Sequence, residues 1–213
     1  MIDPTTQHTR AVYIDLEWLC WHSPPPPGLR QEIIEIGVVE MDLVTLSLIK
    51  EASYFVRPRR WGLSAECEQL TGITRQDILS GRPLLEVLMT IADTFQLAGM
   101  PCCSWGNDFK MLAEACHHER HRNPFERPVD LAWMFGDLFL TELNVSLRNA
   151  VQMLGLPFDG IVHGALPDAR NAARVHAELL RRVRPSIPHA ATMPSDAVSE
   201  VSDFTKKLAA SLK

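Results

Sequence analysis

The sequence predicts an α/β fold built on a mixed β-sheet flanked by helices, and three observations carry this prediction. Apolar, β-branched segments dominate residues 11–57, and helical periodicity dominates the chain after residue 83. Two short apolar segments with strand character interrupt those helices. Strands that come first, followed by alternating helices and strands, are typical of sheets with both antiparallel and parallel neighbours. We therefore expect five strands.

The five strand segments follow one another in two groups. The first contains Ala11–Ile14 and leads into two carboxylates. Gln31–Met41 and Leu46–Arg57 follow it and are expected to complete a meander. Met100–Trp105 is predicted to be a buried fourth strand, and Pro128–Leu131 a short fifth.

Helices are predicted for most of the remaining chain, because apolar residues recur there every three or four positions. The predicted helices are Ser64–Leu70, Pro83–Leu97, Asp108–His121, Ala132–Phe139, Ser146–Leu154 and Asp168–Arg182. Pro24–Gly28 is expected to be a stiff loop, because proline has no backbone N–H to donate. Leu70–Thr74 is read as a turn that leads into Gln76 and Asp77, and Pro157–Gly164 as a loop.

The 213 residues suit one domain with two appendages. Residues 1–10 are expected to be flexible, residues 11–183 to form the domain, and residues 184–213 to be a Pro-rich linker with a short C-terminal helix. Met1–Thr6 has no basic start followed by an apolar run, so no signal peptide is predicted. The longest apolar runs are too short to span a bilayer, and no membrane partner is expected.

Composition narrows the class of function. The five cysteines show no Cys-x-x-Cys spacing, which is typical of reduced thiols in a cytoplasmic protein. A net charge of −5 argues against a protein that coats nucleic acid nonspecifically. It does not exclude an enzyme that holds a few phosphates, because bound metal ions reverse the local charge.

Acidic residues at the ends of elements are the main functional signal. Asp15 and Glu17 project from the same face of the first strand, where they repel one another unless a cation lies between them. Mg²⁺ suits such a site because it prefers carboxylate oxygen. A lone Asp-x-Glu usually marks a solvated strand, but apolar residues flank this pair. Asp108 and Asp168 begin predicted helices, where each could also be a simple cap, and His163 precedes Asp168 by five residues.

With these motifs in order, the sequence resembles the DEDDh 3′–5′ exonucleases over about residues 11–183. More narrowly, it looks like the branch that contains the exonuclease of histone-mRNA ends and small interfering RNA. Supporting segments are Glu32–Gly37, Leu70–Thr74 and Ser104–Gly106. The resemblance implies a ribonuclease H-like fold, with a five-stranded mixed sheet flanked by helices. The family often has threonine at the place of Leu19, a small residue at Trp18 and an acid at Pro167.

The resemblance also implies a reaction: hydrolysis of single-stranded RNA or DNA from the 3′ end to nucleoside 5′-monophosphates. Two Mg²⁺ or Mn²⁺ ions would act in a two-metal mechanism. Asp15, Glu17 and Asp168 would hold the first ion, and Asp15 would bridge to the second, with Asp108 acting mainly through water. His163 would be the general base, although an exposed loop histidine is the structural alternative.

Contacts to the nucleic acid are assigned to five side chains. Leu16 and Trp18 flank the carboxylates, and Trp18 either stacks on a terminal base or packs against the polyproline loop. Trp105 belongs to a segment that carries the resemblance. Arg59 and Arg60 either hold phosphate or form an exposed basic turn.

Two competing interpretations stay open. The first is a zinc site, since His117 and His121 lie one helical turn apart beside Cys116 and His118, although a polar helix face explains these residues as well. The second is a binding or regulatory subunit with a nuclease fold, such as a proofreading partner or a pathway inhibitor. Its docking piece for a protein partner would be the C-terminal Pro-rich linker together with residues 197–213.

Overall fold

The computed structural model describes residues 9–60, 62–141 and 145–184. By its internal contacts the chain divides into two units, residues 1–177 and 178–213, and the sheet belongs to the first. The predicted flexible N-terminus lies outside the described residues except for its last two positions, and the C-terminal linker and helix lie outside them from residue 185 onward.

Five strands form one sheet. They are β1 (Arg10–Trp18), β2 (Ile33–Asp42), β3 (Leu48–Phe55), β4 (Pro101–Ser104) and β5 (Arg127–Asp130). The spatial order is β3-β2-β1-β4-β5. β1 pairs antiparallel with β2, and β2 with β3, whereas β4 pairs parallel with both β1 and β5. The predicted five-stranded mixed sheet with an N-terminal meander is confirmed.

Seven helices surround the sheet in the described part of the chain. They are α1 (Ala65–Thr71), α2 (Arg75–Ser80), α3 (Leu84–Phe95), α4 (Asp108–Glu119), α5 (Leu131–Phe139), α6 (Leu147–Met153) and α7 (Ala165–Val183). Helix α2 was not predicted from the sequence. Thr74 and Asp77 form a reciprocal capping box that starts α2 directly after the left-handed Gly72 ends α1, so the segment is a tight helix–helix junction.

The start of α7 also differs from the prediction. The sequence placed the helix start at Asp168, but α7 begins three residues earlier, at Ala165. Pro167 therefore lies in the first turn. Proline is tolerated there because the N–H groups of the first turn have no partner inside the helix.

Two apolar layers cover the two faces of the sheet. Alternate residues of β1 explain the division, because successive side chains on a strand point to opposite faces. Val12, Ile14 and Leu16 belong to the cluster that includes α3 and α4. Ala11 and Tyr13 belong to the other cluster, which contains four buried alanines of α7: Ala169, Ala172, Ala173 and Ala177. These small side chains allow α7 to lie close to the sheet.

Within residues 9–60, 62–141 and 145–184, no helix has both the length and the apolar character needed to cross a bilayer.

Candidate active site

β1 supplies two of the predicted acids. The sequence placed Asp15 and Glu17 at the end of the first strand. The strand continues to Trp18, so both acids lie inside it. Their neighbours on β2 are Gly37, opposite Asp15, and Glu35, opposite Glu17. Asp15 and Glu17 share the face of the sheet that α7 covers, because they alternate with Ile14 and Leu16 on the other face. Glu17 is only 9% exposed.

Gly37 allows α7 to reach these acids. A Cβ atom on Gly37 would lie 2.2 Å from the carbonyl carbon and oxygen of Ala165 and 2.4 Å from the backbone nitrogen of Leu166. The backbone of α7 therefore rests directly on β2, which only a residue without a side chain permits. The N–H of Ala165 donates to Oε2 of Glu35 at 3.2 Å, which fixes the first turn of α7 beside the two acids of β1.

The loop before α7 carries His163, and a buried asparagine holds this loop. Asn171 is fully buried, and its amide nitrogen donates to the carbonyl oxygens of Asp159 and Pro167, each at 2.9 Å. Its Oδ1 accepts from the N–H of Asp159 at 3.1 Å. His163 has a left-handed backbone, with φ of 65°, and its N–H donates to Oδ2 of Asp168 at 3.2 Å. The backbone of His163 is thus hydrogen-bonded to the side chain of Asp168, five residues later.

Asp108 follows β4 as the first residue of α4. It is 6% exposed, and the N-cap residue before it, Asn107, makes no side-chain capping bond. Asp130, at the end of β5, does act as a cap. Its Oδ1 accepts from the N–H groups of Ala132 at 2.8 Å and Trp133 at 3.3 Å. It also accepts from the N–H of Gly106 at 3.1 Å, which ties the segment before Asp108 to β5.

Burial and mutual repulsion perturb the acids of β1. Burial raises the pKa of Asp15 well above its usual range, and the charges of Asp108, Asp168, Glu17 and Glu35 raise it further, in that order. Burial also raises the pKa of Glu17 from 4.5 to about 8, with further contributions from Asp168, Glu35 and Asp108. Carboxylates repel in this way only when they are close, so segments distant in sequence share one pocket.

The two acids at the helices respond to the same surroundings. Burial raises the pKa of Asp108 from 3.8 to about 7, and the charges of Asp130 and Asp168 add to the effect. Burial raises the pKa of Asp168 from 3.8 to about 6, while the N–H and the charge of His163 oppose the increase. A pocket in which neighbouring acids all resist ionisation is short of positive charge.

The donor set fits divalent cations. Oδ2 of Asp108 and Oδ1 of Asp168 are buried and have no hydrogen-bond partner within the described residues. One carboxylate oxygen each of Glu17 and Asp168 and one ring nitrogen of His163 lie within 4.8 Å of one another. Hard carboxylate oxygens in this number suit Mg²⁺ or Mn²⁺, whose charge would remove the repulsion.

The residues that flank the acids of β1 face the other side of the sheet. Leu16 is 4% exposed and belongs to the first apolar cluster, so it leaves almost no surface for a nucleotide to touch. Trp18 is half-buried against the same cluster, and it lines a cavity of about 190 Å³ together with Arg30 and Met111. A register shift between Glu17 and Trp18 marks the end of the regular pairing with β2.

Trp105 is held by the protein itself. Its indole N–H donates to the carbonyl oxygen of Val145 at 2.9 Å, and its ring contacts Phe135 with centroids 5.7 Å apart. The indole N–H of Trp105 therefore already has a partner within the protein.

The two predicted arginines are exposed and lie beside the polyproline loop. The backbone N–H of Arg59 donates to Oε2 of Glu32 at 2.6 Å, and the guanidinium of Arg60 donates to the carbonyl oxygen of Gly28. Both line a cavity of about 600 Å³ with Arg30. Glu32 also lines this cavity, but Asp15, Glu17, Asp108 and Asp168 do not.

Sequence reasoning missed Glu35 and Asp130 as members of the charged pocket. Glu35 accepts from the hydroxyl of Ser53 as well as from Ala165, so both of its oxygens are engaged. The sequence feature that could have identified Glu35 is the segment Glu32–Gly37, which supports the resemblance to the family. Asp130 stands between a predicted strand and a predicted helix, which is the same signal that identified Asp108.

The zinc interpretation gains no support in the described part of the chain. Cys116 is 2% exposed and packs in the first apolar cluster. The ring of His121 lies 3.4 Å from Glu119. Among residues 9–60, 62–141 and 145–184, the only group of three potential ligands that lie together is Glu17, His163 and Asp168.

Comparison with known proteins is consistent with this geometry. Residues 12–176 match the family described as Exonuclease (RNase_T). The 3′-5′ exonuclease Snipper of Drosophila melanogaster is 25% identical over 198 residues, covering 82% of this chain and 70% of Snipper. The human 3′-5′ exoribonuclease 1 is 27% identical over 181 residues, covering 79% of this chain and 51% of the relative, so the chain spans about half its length.

Among solved structures, the nuclease domain of 3′hExo, a DEDDh family member bound to rAMP, superposes with a TM-score of 0.75. The two are 26% identical, and the match covers 85% of this chain and 95% of that domain. The predicted ribonuclease H-like fold is confirmed by this likeness.

Proposed function

The chain belongs to the exonuclease family, in its DEDDh 3′–5′ branch, and from this premise we propose that it is a metal-dependent enzyme that hydrolyses single-stranded RNA or DNA. Hydrolysis would start at a free 3′ end and release nucleoside 5′-monophosphates. The observation that carries the proposal is the pocket itself, in which β1, α4 and α7 bring four acids of raised pKa together. Such a pocket is costly unless cations fill it.

The metal ligands would be the acids of this pocket. Asp15, Glu17 and Asp168 would hold one Mg²⁺ or Mn²⁺ ion, and Asp15 and Asp108 the other. When bound, such ions supply a polarised water and stabilise negative charge on the phosphate. The unpartnered oxygens of Asp108 and Asp168 support this assignment, because each has lone pairs that no described protein group uses.

His163 is suited to be the general base. Its side chain is exposed to solvent, so an attacking water can reach the ring. Its backbone is bonded to Asp168, which keeps the ring next to the acids. Imidazole accepts and releases protons near neutral pH, as proton removal from water requires.

The proposal is tested by incubating the protein with a 3′-labelled single strand and Mg²⁺ or Mn²⁺. The human relative is called an exoribonuclease and Snipper an exonuclease, so RNA and DNA strands of one sequence are both assayed. We expect labelled mononucleotide from the wild-type chain and a loss of at least about 10²-fold in Asp108→Asn. Glu86→Gln, an exposed position on α3, is the matched control.

Two outcomes would reject the proposal. Release of longer fragments would contradict exonucleolytic attack, and undiminished release from Asp108→Asn would remove the pocket from the reaction. Binding of the strand without any release, in the presence of either metal, would favour the binding-subunit interpretation instead.

A further inference from the structure

A basic cleft lies along α4, the helix that begins at Asp108. We call it the arginine cleft, and it is lined by Arg30, Arg57, Arg59, Trp18, Met111 and His118. It consists of three adjoining cavities of about 190, 300 and 600 Å³. Arg57 lines the first and second, Arg59 the second and third, and Arg30 the first and third. The shared arginines place the three cavities side by side.

The arginine cleft leads away from the acids along α4. This helix begins at Asp108, and Met111 lies one turn further on. His118 is ten positions from Asp108, which is about 15 Å at 1.5 Å per residue. Trp18, the last residue of β1, lines the cleft together with Met111, and its side chain lies on the face of the sheet opposite to Glu17. One end of the cleft therefore lies one helical turn from Asp108, and the other end opens at the loop that contains the prolines.

Two of the arginines have fixed backbones and available charges. The N–H of Arg57 donates to the carbonyl oxygen of Arg82 at 2.9 Å, and the N–H of Arg59 donates to Glu32 at 2.6 Å. Within the described residues, neither guanidinium forms an ion pair. Arg30 is only 4.0 Å from Glu32, so part of its charge is already balanced.

Acidic residues also line the cleft, and they limit its net charge. Glu32 contacts Arg30 and the backbone of Arg59, and Glu119 contacts His121 at 3.4 Å. Glu114 is the third acid. Two of these three acids, Glu32 and Glu119, already contact neighbouring groups of the protein. The guanidiniums of Arg57 and Arg59 therefore remain as charges open to a ligand.

We propose that Arg57 and Arg59 bind backbone phosphates of the substrate strand on the 5′ side of the scissile bond. The inference rests on the proposed function, since a strand whose 3′ nucleotide occupies the acids must leave the pocket toward its 5′ end. Arginine forks are suited to phosphate oxygens, and a groove lined by them follows a single-stranded backbone. At about 3.4 Å per stacked nucleotide, a path of 15 Å holds about four nucleotides.

The test compares a long and a short substrate. In Arg57→Ala/Arg59→Ala, we expect the ratio of kcat/KM for a 12-nucleotide strand to kcat/KM for a dinucleotide to fall about tenfold. The slope of log(kcat/KM) for the 12-nucleotide strand against log salt concentration should become shallower by about 1.4, since each lost phosphate contact removes about 0.7. Arg57→Lys/Arg59→Lys, which keeps both charges, should retain most of the slope.

Arg122→Ala is the matched control, because Arg122 is exposed and lines a different cavity with Leu85 and Met89. An unchanged salt slope in the double alanine variant, or an equal loss on both substrates, would overturn the proposal. So would a lysine variant that loses as much slope as the alanine variant. A wild-type chain inactive on both substrates would instead refute the proposed function, which keeps the two failures distinct.

Discussion

Neutralising Glu17 should stabilise the metal-free protein while it removes a proposed metal ligand. Glu17 is 9% exposed, and its pKa rises from 4.5 to about 8 in the folded chain. Well below pH 4.5 the carboxyl of Glu17 is protonated in both the folded and the unfolded states, so it does not change the stability. As the pH rises from about 4.5 toward 8, the unfolded chain ionises first, and the folded state loses stability.

The magnitude follows from the interval between the two pKa values. A pH of 7 is about 2.5 pH units above the pKa of Glu17 in the unfolded chain. At 1.36 kcal/mol per pH unit, the folded state is destabilised by about 3 kcal/mol. Near pH 5 the same relation gives less than about 1 kcal/mol. Glu17→Gln has no charge at either pH. It should therefore gain about 2–3 kcal/mol relative to wild type between pH 5 and pH 7.

Urea unfolding in the presence of a chelator measures both proteins at the two pH values. Glu86→Gln, on the exposed face of α3, should change stability by less than about 0.5 kcal/mol at either pH. A Glu17→Gln variant no more stable than wild type near pH 7, or one whose advantage is the same near pH 5, would refute the electrostatic reasoning.

Three further predictions address the same pocket. Gly37→Ala should lower the free energy of unfolding by about 3 kcal/mol and abolish nuclease activity, because its Cβ would lie 2.2 Å from the backbone of Ala165. Denaturant unfolding checks this, and wild-type stability would contradict the close packing of α7. His163→Gln should lower kcat by about 10²–10⁴-fold while the rise in Tm on adding Mn²⁺ persists. Loss of the Mn²⁺ effect would make His163 a ligand rather than a base. Finally, protons compete with metal in acids whose pKa values reach about 6, 7 and 8, so calorimetric affinity for Mn²⁺ should rise at least about tenfold from pH 6 to pH 8. A pH-independent affinity would contradict the raised pKa values.

The local elements could be predicted because their signals are local. Apolar segments rich in β-branched residues identified the strands, and local helix signals identified six of the seven described helices. Helix α2 was missed because its six residues carry little periodicity, and its start depends on the capping box between Thr74 and Asp77. Ordered motifs around Asp15, Glu17, Asp108 and Asp168 were also visible, since their spacing needs no coordinates.

Burial and orientation depended on tertiary structure. No sequence pattern tells that Leu16 faces the apolar core while its neighbours face α7, because that choice depends on which layer each face of β1 packs against. The same holds for Glu35, which joins the charged pocket through the register of β2 against β1. The arginine cleft likewise combines loops whose contact no local signal predicts.

The sequence by itself determined which chemical groups the protein has and the order in which they occur. The tertiary structure decided which of them meet, and Gly37 shows the physical reason. Only a residue without a side chain lets α7 rest on β2, and that contact brings Asp168 and His163 to the acids of β1. Charges far apart along the chain interact weakly in water, and packing alone brings them into one pocket where they repel one another.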